Sequence, residues 1–159
     1  MIVERGFAHR KLMKQTKNWL EPGEYFPNNI CSNENNVIDI YTLNRGCLFI
    51  MFVNTDCEPC GDALNTLYQI LTERRLPFVI LVATRETEKL NTIREAFDDR
   101  ATVYGCSQME MKKHFLTDAT PWCYGINSVG QIVTSSVAGN RAEMAKLLAP
   151  FRSLIGEMR

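Results

Sequence analysis

Two short runs, 46–53 (GCLFIMFV) and 78–84 (FVILVAT), are almost continuously apolar, a third strand-like run is 101–106 (ATVYGC), and each precedes a stretch with helical periodicity. The first two, short and nearly unbroken, read as buried strands, the first as a central strand covered on both faces. After the first, Ala63, Leu64, Leu67, Tyr68 and Leu71 recur at three- and four-residue steps and give one apolar face. Arg74 and Arg75 suit the negative end of that helix, and Pro77 stops it. After the second, Leu90, Ile93 and Phe97 mark an amphipathic helix. After the third, Ser107 and Glu110 have capping-box spacing. Strands alternating with helices imply right-handed crossovers and a mostly parallel sheet.

The flanking segments complete this reading. Residues 20–36 are rich in Pro, Gly and Asn and read as loop and turn, whereas 37–43 (VIDIYTL) alternates like a short strand. Beyond Pro121, two β-like runs flank Asn127-Ser128-Val129-Gly130, which predicts a hairpin. A final helix over 141–157 is expected to bury Met144, Leu147, Leu148, Phe151, Leu154, Ile155 and Met158 and to kink at Pro150. The expected class is α/β: a mixed central sheet of about five strands flanked by helices on both faces.

At 159 residues the chain fits one domain, large enough to fold without disulfides or a structural metal. Its formal net charge of zero argues against a general nucleic-acid binder. Charge is uneven at one end, where Arg5, Arg10, Lys11, Lys14 and Lys17 oppose Glu4. Residues 1–19 therefore read as a basic, solvated arm ahead of a domain at 20–159. No apolar run reaches the length of a membrane span, and charges interrupt the N-terminus where a signal peptide would be apolar. The expectation is a cytoplasmic protein without a membrane partner.

There are six cysteines. Cytosolic thiols are kept reduced, and Cys31, Cys47, Cys106 and Cys123 sit in or beside apolar strand-like runs. These four read as core or near-core thiols. Cys57-Glu58-Pro59-Cys60 differs, because it stands between a buried strand and an amphipathic helix. A helix N-terminus presents unpaired N–H groups and partial positive charge, which stabilise a thiolate. Cys57 is then the candidate nucleophile. Cys60, one turn on and directed inward, is the candidate resolving thiol. Pro59 suits a first turn, where its missing N–H costs nothing. Asp56 and Glu58 place acids on both sides of Cys57 and oppose a further negative charge. The pair is therefore expected to be comparatively reducing.

Zinc is disfavoured. One C-x-x-C gives two ligands, Cys106 and Cys123 are too far apart for a knuckle, and His9 and His114 show no ligand spacing. Inert thiols are disfavoured by the strand–motif–helix context. His114 reads as a surface or core-edge residue rather than a base.

The segments CLFIMFVNTDCEPC, TPWCYGINSVGQIV and LEPGEYFP together resemble the thioredoxin-like superfamily over nearly all of 20–157. The nearer resemblance is to its larger branch, which includes membrane-tethered cytochrome-maturation reductases and peroxiredoxins. The resemblance implies that Cys57 attacks, that Cys60 resolves, and that Pro121 is a cis-proline beside them. It also implies that Thr120 offers its backbone to an extended substrate. Trp122 is expected to serve core packing. The chain departs from the pattern at Asp56, where tryptophan is usual, and at Met51, where many members bury an acid. The proton acceptor for Cys60 is then unassigned, with Glu58 as a weak candidate. Ile50 and Asn54 stand where a peroxidase would have proline and threonine.

The expected activity is thiol–disulfide exchange with a protein or peptide disulfide or dithiol. A cellular thiol would serve as electron donor or acceptor, and no cofactor is needed. Small untethered relatives also resemble accessory redox proteins that mature disulfide-bearing bacteriocins, including sporulation killing factor. A redox-sensitive peptide-binding module and a thiol peroxidase stand as alternatives.

Overall fold

A computed structural model describes residues 19–28, 30–32, 37–115 and 119–156. Strands are β1 Ile30–Cys31, β2 Val37–Ile38, β3 Cys47–Asn54, β4 Phe78–Ala83, β5 Thr102–Gly105, β6 Trp122–Asn127 and β7 Ile132–Val137. Helices are α1 Ile40–Leu43, α2 Glu58–Glu73, α3 Thr87–Phe97, α4 Gln108–Phe115, α5 Arg141–Leu148 and α6 Arg152–Ile155. The main sheet has five strands in the order β5-β4-β3-β6-β7. Parallel pairing joins β3 to β4 and β4 to β5, and antiparallel pairing joins β3 to β6 and β6 to β7. The expected mixed α/β sheet is what forms.

The apolar runs work because alternate residues serve two cores. Phe49, Met51 and Val53 of β3 face one cluster, with Ile80 and Val82 of β4, and α2, α3 and α5 cover it. Leu48, Ile50 and Phe52 face the other, with Val79 and Leu81. That second face is covered by Leu20, Phe26, Ile30, Ile38, Ile40 and, from α4, Met111. All residues of β3 except its last are buried, which is why its sequence shows no polar alternation.

Three expectations need correction. Residues 37–43 are not one strand: β2 is only Val37–Ile38, and α1 follows at once. Asp39 ends the strand because its carboxylate accepts from the Thr42 N–H, at 3.1 Å, and caps α1. Residues 20–36 are more than loop, since Ile30 and Cys31 pair with Ile38 and Val37. The segment before them is also bonded along the hairpin, with Gly23 N donating to Ile132 O at 2.8 Å and Phe26 N to Gly130 O at 2.9 Å. The last helix is broken rather than kinked. A 3-10 turn at Ala149–Phe151 contains Pro150 and separates α5 from α6. Met144, Leu147, Leu148 and Phe151 are buried, but Leu154 is 61% exposed.

Other local expectations match. Glu110 N donates to Ser107 Oγ at 3.0 Å, as a cap at the start of α4. The hairpin turns at Gly130, whose φ of 83° suits glycine. Gly125 is needed for a different reason, because a Cβ there would lie 2.7 Å from the Phe151 ring. Arg74 and Arg75 act at longer range than their own helix dipole. The Arg74 guanidinium donates to the carbonyls of Ile155 and Gly156, and Arg75 pairs with Asp99 at 3.0 Å. Of the basic arm read at 1–19, residues 1–18 fall outside the described residues, as do Met158 and the Cys31 side chain.

Candidate active site

The end of β3 delivers the cysteine motif. Asn54 Oδ1 accepts from Asp56 N at 2.9 Å, and Asn54 O accepts from Cys57 N at 3.1 Å, which turns the chain sharply out of the strand. Thr55 fixes this turn to the neighbouring strand end. Its N–H donates to Ala83 O at 3.1 Å, and its hydroxyl lies 2.9 Å from that of Thr84. Cys57 is the N-cap of α2 and has extended backbone angles, and its side chain makes no capping bond. The sulfur is thus left beside the first turn of the helix, where unpaired N–H groups concentrate. Pro59 occupies that first turn.

Cys57 and Cys60 form a disulfide, with Cα atoms 5.3 Å apart. The two sulfurs differ in access. Cys60 is 2% exposed and belongs to the core cluster that contains Met51 and Val53, whereas Cys57 is half-buried at its edge. Sheet pairing brings the distant segment 120–121 to the same place, because Trp122 lies opposite Phe52. Cys57 Sγ lies 3.5 Å from Thr120 O. The Thr120–Pro121 peptide bond is cis, and Pro121 is buried.

Asp56 and Glu58 are both exposed. Met51 is fully buried in the core cluster that holds Cys60, and among the described residues no Asp, Glu, Lys, Arg or His is buried. No buried carboxylate therefore backs Cys60 among those residues. His114 is on α4 and its Nε2 lies 2.8 Å from Glu110, a one-turn surface pair rather than a group aimed at the cysteines.

The remaining thiols have a different setting. Cys47, Cys106 and Cys123 are buried and unbridged. Burial pushes Cys106 up to about 12, with Glu110 adding repulsion, and pushes Cys123 well above the ordinary thiol range. Cys47 is raised for the same reason.

Sequence reasoning missed several residues around the site. Trp19 stacks on Trp122 with ring centroids 5.5 Å apart, and Trp122 Nε1 donates to Ser135 Oγ at 3.2 Å. Trp122 is thus a packed residue whose ring supports the strand after Pro121. The loop facing Pro121 is held by Glu143, whose carboxylate accepts from Gly139 N at 3.0 Å and from Asn140 Nδ2 at 2.8 Å. The Asn140-to-Glu143 spacing is a capping-box signal legible in the sequence. Gly61, Leu64 and Ile93 line a groove that meets the disulfide. No sequence signal marks that groove, because it depends on how α2 and α3 pack together.

No protein-family model matches the chain. No curated protein matches it in sequence. Solved structures do resemble it. A protein assigned as the thiol:disulfide interchange protein DsbE of Chlorobium tepidum superposes with a TM-score of 0.68 at 14% identity, over 84% of this chain and 97% of that one. A thio-disulfide isomerase from Thermus thermophilus gives a TM-score of 0.64 at 17% identity, over 88% and 100%. The thioredoxin domain of a thiol-disulfide oxidoreductase from Bacteroides vulgatus gives 0.61 at 14%, over 83% and 98%. The fold is thioredoxin-like.

Proposed function

We propose that this protein is a thiol–disulfide oxidoreductase that exchanges its Cys57–Cys60 pair with a protein or peptide substrate. The observation that carries this reading is the asymmetric disulfide at the start of α2, with one sulfur buried and the other at the surface beside Thr120 O. In the reducing direction the Cys57 thiolate attacks one sulfur of a substrate disulfide, and the other substrate sulfur leaves as a thiolate. Cys60 then gives up its proton and attacks Cys57 Sγ, forming the intramolecular disulfide and releasing the second substrate thiolate. Two electrons pass to the substrate. The oxidising direction reverses each step.

Thr120 and Pro121 fit a substrate-positioning role. The backbone of Thr120 lies beside the reactive sulfur, where an extended peptide can pair with it. Glu58 and Pro59 shape the motif between the cysteines. The proposal includes a cytoplasmic setting, where a cellular thiol restores the dithiol. A narrower role in maturing a bacteriocin-type peptide rests on sequence resemblance alone.

The test is trapping. Cys60→Ser should accumulate mixed disulfides through Cys57, identifiable by mass after non-reducing electrophoresis, and Cys57→Ser should trap nothing. If Cys60→Ser holds partners without any covalent link, the protein is a redox-gated binding module that captures partners beside Pro121 instead. Rapid peroxide consumption with sulfenic acid at Cys57 would mark a peroxidase.

A further inference from the structure

A groove of about 650 Å³ opens onto the disulfide between α2 and α3. Cys57, Cys60 and Gly61 form one end, and Leu64 and Ile93 form its apolar wall. A second hollow of about 470 Å³ shares Gly61, Leu64 and Ile93 and extends the groove to Tyr68 and Phe97. Neither Thr120 nor Pro121 lines it. It is therefore separate from the strand-pairing site proposed above, although both meet at Cys57.

Two features indicate what the groove takes. The first is charge. Glu58, Glu86 and Glu88 line it against a single cation, Lys89, whose ammonium lies 3.2 Å from Glu86. The second is Gly61, in the first turn and a half of a sixteen-residue helix. Glycine there weakens the helix relative to alanine. A Cβ at Gly61 would meet nothing within 4 Å, so internal packing does not demand the glycine. What the missing side chain leaves open is the groove.

We propose that this groove seats the part of a polypeptide substrate adjoining its reacting cysteine, with an apolar side chain between Leu64 and Ile93 and a Lys or Arg against Glu86 and Glu88. This rests on the exchange reading and names its substrate class. The substrate cysteine bonds to Cys57, the N-cap of α2, and Leu64 stands seven positions further on, about 10 Å along the axis. An extended peptide covers that distance in about three residues. The favoured substrate therefore carries a large apolar residue about three positions from the cysteine, with basic rather than acidic neighbours.

The test uses reduced protein and peptides whose single cysteine is capped with thionitrobenzoate. Cys57 attacks the peptide sulfur and the coloured thiolate leaves. Cys60 then releases the peptide thiol and closes the disulfide, so two electrons move from protein to capped peptide. Each peptide rate is divided by the rate with hydroxyethyl disulfide, which is too small to use the groove. A Lys/Leu peptide should exceed both a Glu/Leu and a Lys/Ser peptide by about tenfold. The Lys-over-Glu gap should shrink in about 1 M salt. Gly61→Leu, which fills the groove, and the double variant Glu86→Lys/Glu88→Lys should each lower the Lys/Leu ratio by about tenfold. Thermal melts check that the variants fold. Equal ratios for the three peptides, or ratios untouched by both variants, overturn the groove assignment and leave exchange standing. No reaction with hydroxyethyl disulfide or with any of the capped peptides overturns the exchange reading itself, and the groove assignment falls with it.

Discussion

Cys60 and Cys123 sit in the same core cluster, at 2% and 0% exposure, yet they are different chemical objects. Cys123 is in the interior of β6, opposite Met51, with its sulfur 3.7 Å from Tyr124 O. Burial raises its pKa and nothing brings a reaction partner to it. Cys60 is equally enclosed but starts a helix, and its bonded partner three residues earlier reaches the surface. If Cys60 resolves as proposed, access through a half-buried neighbour, rather than exposure of the thiol itself, is what sets it apart from an inert thiol. Cys106, just beyond β5, falls on the inert side of the same contrast.

Mutation gives the largest way to break this contrast. Cys57→Ser should reduce disulfide exchange to the uncatalysed level, whereas Cys123→Ala should leave exchange intact and cost about 1–2 kcal/mol of stability. Turnover with a model disulfide and urea unfolding measure the two effects. Activity loss in Cys123→Ala, with a native melt, would break the division.

Alkylation sharpens it further. With Cys106 at about 12, only about one molecule in ten thousand holds that thiolate at pH 8. Brief iodoacetamide treatment of the reduced native protein should label Cys57 at least about a hundredfold faster than Cys106 or Cys123. Peptide mapping reads the sites. Equal labelling would show that burial does not protect the core thiols.

The exposed acids beside Cys57 set the next scale. Replacing them together, as Asp56→Asn/Glu58→Gln, should stabilise the reduced pair about tenfold and raise the potential by about 30 mV. Equilibration with glutathione measures it. An unchanged or more negative potential would remove Asp56 and Glu58 as the cause of a reducing poise.

Alkaline stability is the smallest effect. The folded state holds Cys106 and Tyr124 up to about 12, from ordinary values of 9.0 and 10.0, because burial disfavours their charged forms. Such groups add stability below their unfolded pKa, and it is lost as pH rises toward the folded value. Urea stability should hold to pH 8.5 and fall by at least about 1 kcal/mol by pH 10.5. A flat profile across that interval would deny these groups their linkage.

Much of this was legible in the sequence because it depends on neighbours along the chain. Unbroken apolar runs marked β3 and β4, a shorter strand-like run marked β5, the three-and-four spacing marked α2 and α3, and the strand–motif–helix order placed Cys57 and Cys60. Legibility failed where a side chain competed with the backbone pattern. Asp39 turned an alternating segment into a cap, and Pro150 cut a periodic helix into α5, a 3-10 turn and α6. The lead-in 20–28 looked like loop because the backbone bonds that tie Gly23, Glu24 and Phe26 to the hairpin go to residues more than a hundred positions away.

The sequence by itself determined the element order from β3 to β7, the buried central strands and the cysteine pair at a helix start. These follow from side-chain periodicity and from the unpaired N–H groups that every helix N-terminus carries. Only the tertiary structure decided that Thr120 O stands 3.5 Å from Cys57 Sγ, and that α2 and α3 leave an acid-rimmed apolar groove beside the disulfide. Those features join segments that share no local pattern. They exist because strand pairing and helix packing bring distant residues together, and pairwise proximity of that kind leaves no period to read.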